Sequence, residues 1–159
     1  MKISNEDVVI NQHGVKATEN VKILDSLSKE NSLLTQQLLQ IFNNRLSELR
    51  PVIDVIKERG YYFKHPDKAS DGLSSRGPII GYNNDHFFVY SVEDNWVYKI
   101  RRYDSELKDK IHISKFIEQY DFDKAMSGLN FVLELQDHYS EIYKEENEQK
   151  KALIDKYSK

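Results

Sequence analysis

Hydrophobic and polar positions divide the chain into a helical first third, an aromatic middle and a helical last third. Residues 76–103 read RGPIIGYNNDHFFVYSVEDNWVYKIRRY, in which runs of Ile, Phe, Val, Tyr and Trp are separated only by NND and EDN. Aromatic and β-branched runs between turn-forming residues are typical of an antiparallel meander. The pattern predicts an α+β fold in which a β-meander of three to five strands packs against long N-terminal and C-terminal helices.

The turns suggest a strand register. If EDN is a three-residue loop with Asn95 in the left-handed region, Val92 pairs with Trp96. Pairing in this register places apolar side chains together, so we expect one face to hold the helices. That face comprises Phe88, Tyr90, Val92, Trp96, Tyr98 and Ile100. The opposite face is mixed in character and comprises Phe87, Val89, Ser91, Val97, Lys99 and Arg101.

The first third begins with residues 1–19, which look like an arm with at most one strand, at residues 8–10. A helical region is predicted over residues 20–59. Pro51 lies inside its apolar pattern, and a proline in a helix interior costs about 3 kcal/mol, so we expect a break or kink there. Gly60 is suited to a left-handed C-cap.

Two apolar stripes follow each other along this helical region. The first has helical spacing, with Asn31 in the same register, and comprises Leu24, Leu27, Leu34, Leu38 and Ile41. The second comprises Leu39, Phe42, Leu46, Leu49, Ile53 and Ile56. The first stripe is compatible with a coiled-coil homodimer through residues 20–49, but packing within the chain explains the same leucines and is the arrangement we favour.

The sheet region is predicted over residues 61–113 and contains a polar loop at residues 64–78. Ser, Asp, Lys and Gly dominate this loop, so we expect disorder more than a functional loop. The DSELKDK segment after Tyr103 is interpreted as a turn leading to a short strand at residues 111–113. Helices are predicted over residues 114–159, the last of them capped by Asp123.

Length and composition narrow the class of protein. The 159 residues suit a single α+β domain, and the chain has no cysteine for disulfides or thiolate zinc sites. No apolar run approaches the roughly 20 residues that a membrane-spanning helix needs. We therefore expect a cytoplasmic protein. The net charge of −3 provides no overall attraction for nucleic acid, which makes direct nucleic-acid binding an unfavoured expectation.

Few residues suggest catalysis. Glu106 and Lys108 form an E-x-K triplet, and together with Asp94 they are compatible with a metal-dependent nuclease. A solvated turn explains the triplet better in a chain that is 31% charged. The five histidines lack a ligand spacing. No catalytic residue, metal or cofactor is assigned. Lys99, Arg101 and Arg102 with interleaved tyrosines leave a nucleic-acid-binding regulator as a third hypothesis.

The chain resembles a particular group of proteins in five features. It is short, lacks cysteine, has more lysine than arginine, has a slight excess of acids and has aromatic strands. This group is the small accessory proteins of phages and mobile elements, including anti-CRISPR inhibitors of type II CRISPR nucleases. The resemblance implies a non-enzymatic inhibitor that occupies a surface of a host or defence nuclease.

The leading hypothesis is accordingly a protein-binding inhibitor or accessory protein that is not an enzyme. Its predicted partner contacts lie on the EDN turn and the mixed sheet face, where carboxylates would engage basic patches. They are Glu93, Asp94, Asn95, Lys99 and Arg101.

Overall fold

The computed structural model describes the backbone of residues 5–159 and, apart from residues 105 and 107, the side chains from residue 16 onward. The four strands form one antiparallel sheet in the order β1-β2-β3-β4, which confirms the α+β meander. In chain order the elements are α1 (Asn5–Glu58), a 3₁₀ helix (Lys68–Ser70), β1 (Ile79–Tyr82), β2 (His86–Ser91), β3 (Trp96–Arg101), β4 (Asp104–Ile111), α2 (Ile113–Gln119), α3 (Phe122–Asn130) and α4 (Val132–Tyr157).

The chain divides into two compact units, residues 1–38 and residues 39–159, and the boundary falls within α1. In the first unit the described residues are helical. The second unit holds the remainder of α1, the sheet and helices α2 to α4. Over residues 5–159, no helix combines the length and the apolar character that crossing a membrane would require.

The α1 helix corrects two predictions. Residues 8–10 lie inside it, so the strand predicted for the N-terminal arm is wrong. Pro51 also lies inside it, so the helix is not broken there, while a kink at Pro51 stays a prediction. Leu49 and Ile53, which flank Pro51, are almost fully buried, and burial of such side chains offsets the cost of the missing hydrogen bond.

The end of α1 confirms the predicted cap. Gly60 has a φ of 73°, in the left-handed region that favours glycine. Its N–H donates to the Lys57 carbonyl at 3.0 Å, and the Tyr61 N–H donates to the Ile56 carbonyl at 3.1 Å. These two bonds are the Schellman arrangement, which satisfies the last carbonyls of the helix.

The two apolar stripes of α1 differ in burial. The second stripe is buried in the core, at Phe42, Leu46, Leu49, Ile53 and Ile56. The favoured prediction that the first stripe packs within the chain is wrong for Leu24, Leu27 and Leu34, which are all at least half exposed.

The β2–β3 register differs from the prediction by one residue. Ser91 pairs with Trp96 and Tyr90 pairs with Val97, so the connection has four residues rather than three. Asn95 is left-handed as predicted, with a φ of 61°. Val92 lies in the turn, and its carbonyl accepts from the Arg50 guanidinium at 2.8 Å rather than joining the ladder. A one-residue shift exchanges the faces of one strand relative to its partner.

The helices cover the face that carries Phe88, Tyr90 and Val97, all of which are buried. Phe88 packs against Phe116 of α2 and against Tyr120, with ring centroids 5.6 and 4.4 Å apart. We call this the helix face. Val97 was predicted to lie on the exposed face, and that prediction is wrong.

The loop at residues 64–78 follows a defined path, contrary to the expected disorder. His65 is buried, its Nε2–H donates to the Lys124 carbonyl at 2.8 Å, and its Nδ1 accepts from the Asp67 N–H at 3.1 Å. Phe63 and Ser74 form an antiparallel bridge across the loop. Further along, Gly72 lies against the Phe87 ring. The loop therefore covers part of the sheet face opposite the helices.

The last third also needs correction in detail. DSELKDK forms part of β4 rather than a turn, because edge strands accept charged side chains. Residue 112 is not in a strand, since the His112 ring caps α2 by accepting from the Ser114 N–H. Asp121, not Asp123, caps α3, and a separate helix α4 follows Phe131. The predicted helical C-terminal segment is confirmed to Tyr157.

Gly128 of α3 lies against the backbone of β1. A Cβ atom there would lie 2.0 Å from the Ile79 carbonyl oxygen and 2.8 Å from His65 Cδ2. We expect Gly128→Ala to lower the free energy of unfolding by about 1–3 kcal/mol or more, because backbone atoms must move to admit the methyl group. Urea unfolding followed by circular dichroism measures the loss. Ser127→Ala, at the exposed neighbouring position, is the matched control, and equal stability of the two variants would contradict this packing.

Candidate functional site

One half of the sheet face opposite the helices is open and carries exposed cations beside aromatic rings. Tyr98 pairs with Lys110 and Ile100 pairs with Lys108, so these side chains lie on the same side of the sheet as Trp96. Arg76 reaches the same surface from the loop. We call this surface the basic-aromatic face, and its members are Arg76, Trp96, Tyr98, Ile100, Lys108 and Lys110.

The cations of this face lie close to the rings. Lys110 Nζ is 5.6 Å from the Trp96 ring centroid and 5.7 Å from that of Tyr98. Arg76 Cζ is 4.7 Å from the Tyr98 centroid, and Lys108 Nζ is 5.9 Å from it. Cations within about 6 Å of a ring gain about 0.5–1 kcal/mol at exposed sites. The rings therefore hold positive charge at the surface in fixed positions.

Asp94 ties the turn to this face. Its Oδ2 accepts from the Tyr98 hydroxyl and lies 3.2 Å from Lys110 Nζ, while its Oδ1 accepts from the Trp96 N–H at 3.3 Å. Partial burial acts to raise the pKa of Asp94, but the hydrogen bonds from Tyr98 and Lys110 outweigh burial and lower the pKa from 3.8 to about 2. The same contacts raise the pKa of Lys110. Asp94 is therefore ionised at neutral pH and bonded to Tyr98 and Lys110.

His112 extends the face at its outer end. Its ring meets the Trp96 ring edge-on, with centroids 5.3 Å apart, and the side chain is exposed. Because His112 also caps α2, its ring position is fixed by the helix that follows β4. Trp96 is therefore held between Lys110 and His112, with part of its surface open to solvent.

The β2–β3 turn is rigid on its other side as well. The Tyr90 hydroxyl donates to Asn95 Oδ1 at 2.7 Å, and the Asn95 N–H donates to the Ser91 carbonyl at 3.0 Å. Glu93 forms an ion pair with Lys57 of α1 at 3.3 Å, although its side chain is 78% exposed. The turn is therefore anchored to α1 as well as to the strands.

The sequence-predicted contact residues do not form one surface. Asp94 joins the basic-aromatic face, whereas Glu93 and Asn95 contact Lys57 and Tyr90 on the helix side. Lys99 pairs with Phe88 across β2, and Arg101 pairs with His86. Both basic residues therefore lie on the side of the sheet that the helices cover, opposite Trp96 and Lys110.

The residues of the nuclease and nucleic-acid hypotheses also lie in other positions than the sequence predicts. Glu106 and Lys108 lie on β4, a strand position that resembles the nuclease pattern more than the expected turn did. Among the side chains described, however, no three His, Asp or Glu residues are grouped to hold a metal ion. Arg102 holds the β1–β2 turn, since its Nε donates to the Asn83 carbonyl at 2.8 Å and its guanidinium lies over the Phe87 ring.

A groove between the end of α1 and α4 offers about 340 Å³. The Tyr61 and Tyr139 rings stack in it at 4.0 Å, and the Tyr139 hydroxyl donates to the Tyr62 carbonyl at 2.8 Å. A hydrogen bond with Tyr143 raises the pKa of Tyr61 to about 12, so its hydroxyl stays neutral. The groove is mainly apolar and brings together no acid and base.

None of the six members of the basic-aromatic face was among the contacts predicted from the sequence. The alternation of Lys108 and Lys110 about Asp109 is a period of two, which signals a strand with cations on one face. The turn interpretation of DSELKDK hid that signal. No signal in the sequence pointed to Arg76, because its approach to Tyr98 depends on the path of the loop.

Searches with protein-family models, curated proteins and solved structures found no match to this chain.

The Asp94 contacts predict a measurable titration. In wild-type protein the carboxyl should titrate near pH 2, and Lys110→Met should move the midpoint up towards 3.8 because a hydrogen-bond donor and a positive charge are lost. Since the folded pKa is the lower one, the Asp94 contacts stabilise the fold above pH 3.8, and this stabilisation is lost as the pH falls through about 2. Carboxyl ¹³C shifts measure the midpoint. Lys99→Met, on the opposite side of the sheet, is the control, and an unchanged midpoint in Lys110→Met would contradict the ion pair.

Proposed function

We propose that this chain is a non-enzymatic binding protein that contacts a partner protein through the basic-aromatic face and the adjoining turn. The observation that carries the proposal is the placement of Lys110 beside Trp96 and Tyr98 on adjacent strands, with its ammonium 5.6 and 5.7 Å from the two ring centroids. We further propose that it acts in the cytoplasm.

The proposal is supported by the energetics of protein interfaces. Binding energy concentrates in a few Trp, Tyr and Arg residues at fixed positions, surrounded by polar groups. Trp96 is partly exposed, while Tyr98 is buried and serves as a rigid base for Lys110 and Arg76. Side chains on strands lose less freedom on binding than side chains on mobile loops. Little ordering would therefore oppose association at this face.

The charge of the face indicates the chemistry of the partner. Arg76, Lys108 and Lys110 outnumber Asp94, whose carboxylate is already paired with Lys110. An acidic patch on the partner is complementary to this surplus. This reverses the expectation from the sequence, in which carboxylates on the turn engaged a basic surface. The resemblance to anti-CRISPR proteins leads us to propose a CRISPR or other defence nuclease as the partner, bound at an acidic patch and inhibited by occlusion.

Substitutions on the two sides of the sheet test this proposal by affinity capture from the native host, after nuclease treatment of the lysate. We expect Trp96→Ala to weaken the capture of a specific protein by about 30-fold or more, since hot-spot truncations cost at least about 2 kcal/mol. Lys108→Ala should weaken it less and reduce its salt dependence. Recovery is measured against salt concentration for each variant.

Lys99→Ala and Arg101→Ala are the matched controls, because both remove a cation from the side of the sheet that the helices cover. They should bind like wild type. Loss of the partner in these controls, with full binding by Trp96→Ala, would instead favour the contacts predicted from the sequence. Purified partner and isothermal titration calorimetry then give the affinities directly.

A nucleic-acid-binding role is the second candidate, and the same face favours it. Trp96 offers a ring for base stacking with Lys110 beside it, and Arg76 and Lys108 lie near the neighbouring Tyr98 ring. Such binding would weaken steeply with salt, because each phosphate contact releases counterions. Fluorescence anisotropy with labelled single-stranded RNA and DNA at low salt tests it. We expect no binding comparable to that of the protein partner, and tight binding lost in Trp96→Ala would favour this alternative.

A further inference from the structure

The first unit of the chain carries an apolar stripe that its own residues leave uncovered. Its described residues form a single helical segment. Leu24, Leu27 and Leu34 on that segment are 67%, 57% and 50% exposed, and Val21 and Ile23 beside them are 64% and 57% exposed. A lone helix in water gains no burial energy from such side chains, and contiguous exposed apolar surface marks an interaction site.

The spacing of this stripe is that of a coiled coil. In a heptad written abcdefg, Leu24 and Leu38 occupy a positions and Leu27 and Leu34 occupy d positions. Asn31 occupies the a position between them. The charged side chains nearby lie elsewhere, and the ion pair between Asp25 and Lys29, 3.1 Å long, occupies positions b and f on the outer side.

We propose that residues 21–38 of two copies of this chain associate as a parallel, in-register coiled coil. Asn31 decides the orientation. In a parallel pair, a positions face a positions, so the Asn31 amides of the two copies hydrogen-bond each other. In an antiparallel pair, a positions face d positions, and each Asn31 amide would be buried against a leucine without a partner. An asparagine within a leucine seam is therefore matched best by a second copy of the same helix.

The area of the seam is sufficient for a dimer of modest affinity. At about 100 Å² for a fully exposed aliphatic side chain, the five exposed residues of both copies contribute roughly 600 Å² of apolar surface. Interfaces are about 60% apolar, so the total would be on the order of 1,000 Å². That area reaches the lower limit of specific interfaces. The dimer should accordingly dissociate on dilution.

The charges beside the seam do not oppose this pairing. Glu30 occupies a g position, and the e position that it would face in the second copy is Thr35. Ile23, the preceding g residue, would face Ser28 in the same way. No like charges are therefore brought together across the seam in the parallel arrangement.

Sedimentation equilibrium of the full chain over a wide range of concentrations tests the dimer. Wild type should pass from monomer to dimer as its concentration rises. Leu34→Glu should raise the dissociation constant by at least about 100-fold, because two carboxylates would enter the seam. Gln36→Glu adds the same charge at an f position and is the matched control, which should dimerise like wild type. Circular dichroism verifies that both variants remain folded.

Orientation is tested with introduced cysteines, since the chain has none of its own. Under mild oxidation Leu24→Cys should form a disulfide-linked dimer in the parallel arrangement. An antiparallel pair in which Asn31 faces Leu27 of the other copy would instead place residue 24 near residue 34 of that copy, and no cross-link would form. Gln36→Cys, on the outer side, is the control for random collision.

Three outcomes would overturn the proposal. A folded wild-type chain that stays monomeric at every concentration would exclude the dimer. A dimer that Leu34→Glu and Gln36→Glu affect equally would place the interface elsewhere. A dimer that Leu34→Glu abolishes, but that Leu24→Cys fails to cross-link above the Gln36→Cys level, would exclude the parallel register.

Discussion

The register of the β2–β3 hairpin is the constraint on which the sheet region depends. It is fixed by a four-residue turn in which Asn95 adopts the left-handed conformation. The Asn95 N–H closes the turn on the Ser91 carbonyl, and Arg50 of α1 takes the Val92 carbonyl that the ladder leaves free. Since side chains alternate along a strand, this one turn decides that Val97 enters the core and that Trp96 faces solvent.

Tertiary packing outweighed local signals wherever the prediction from the sequence failed in the helices. Pro51 disfavours its own helix, yet α1 continues because buried side chains on either side of it pack into the core. The alternation of stripes along α1 was predicted correctly, since it needs only the helical period. Which stripe would be buried was not predictable from the period, because both stripes have the same helical spacing.

The sequence sufficed for the fold class and for the left-handed positions of Gly60 and Asn95, which reflect local chemistry. The prediction of the register failed because we chose the pairing that makes one face of the sheet uniformly apolar. That criterion does not apply to β2, which is buried on both faces. Val89 is almost fully buried on the side opposite the helices, where the loop crosses. A fifteen-residue polar loop carries no periodic signal of such a position. Lys99 and Arg101 were assigned to the side of the sheet away from the helices for the same reason.

Coverage of that face by the loop also explains why the candidate site lies where it does. Gly72 lies against Phe87 on β2, while Arg76 reaches as far as Tyr98 on β3. On the neighbouring strand β4, the residues that pair with Tyr98 and Ile100 are lysines rather than apolar residues, so no further cover is required. Packing under the loop thus holds the Tyr98 ring in place, and the cations near that ring lie on the open half of the face. Asp94 completes the arrangement, because a carboxylate held near Lys110 restrains that side chain without neutralising the surplus of Arg76 and Lys108.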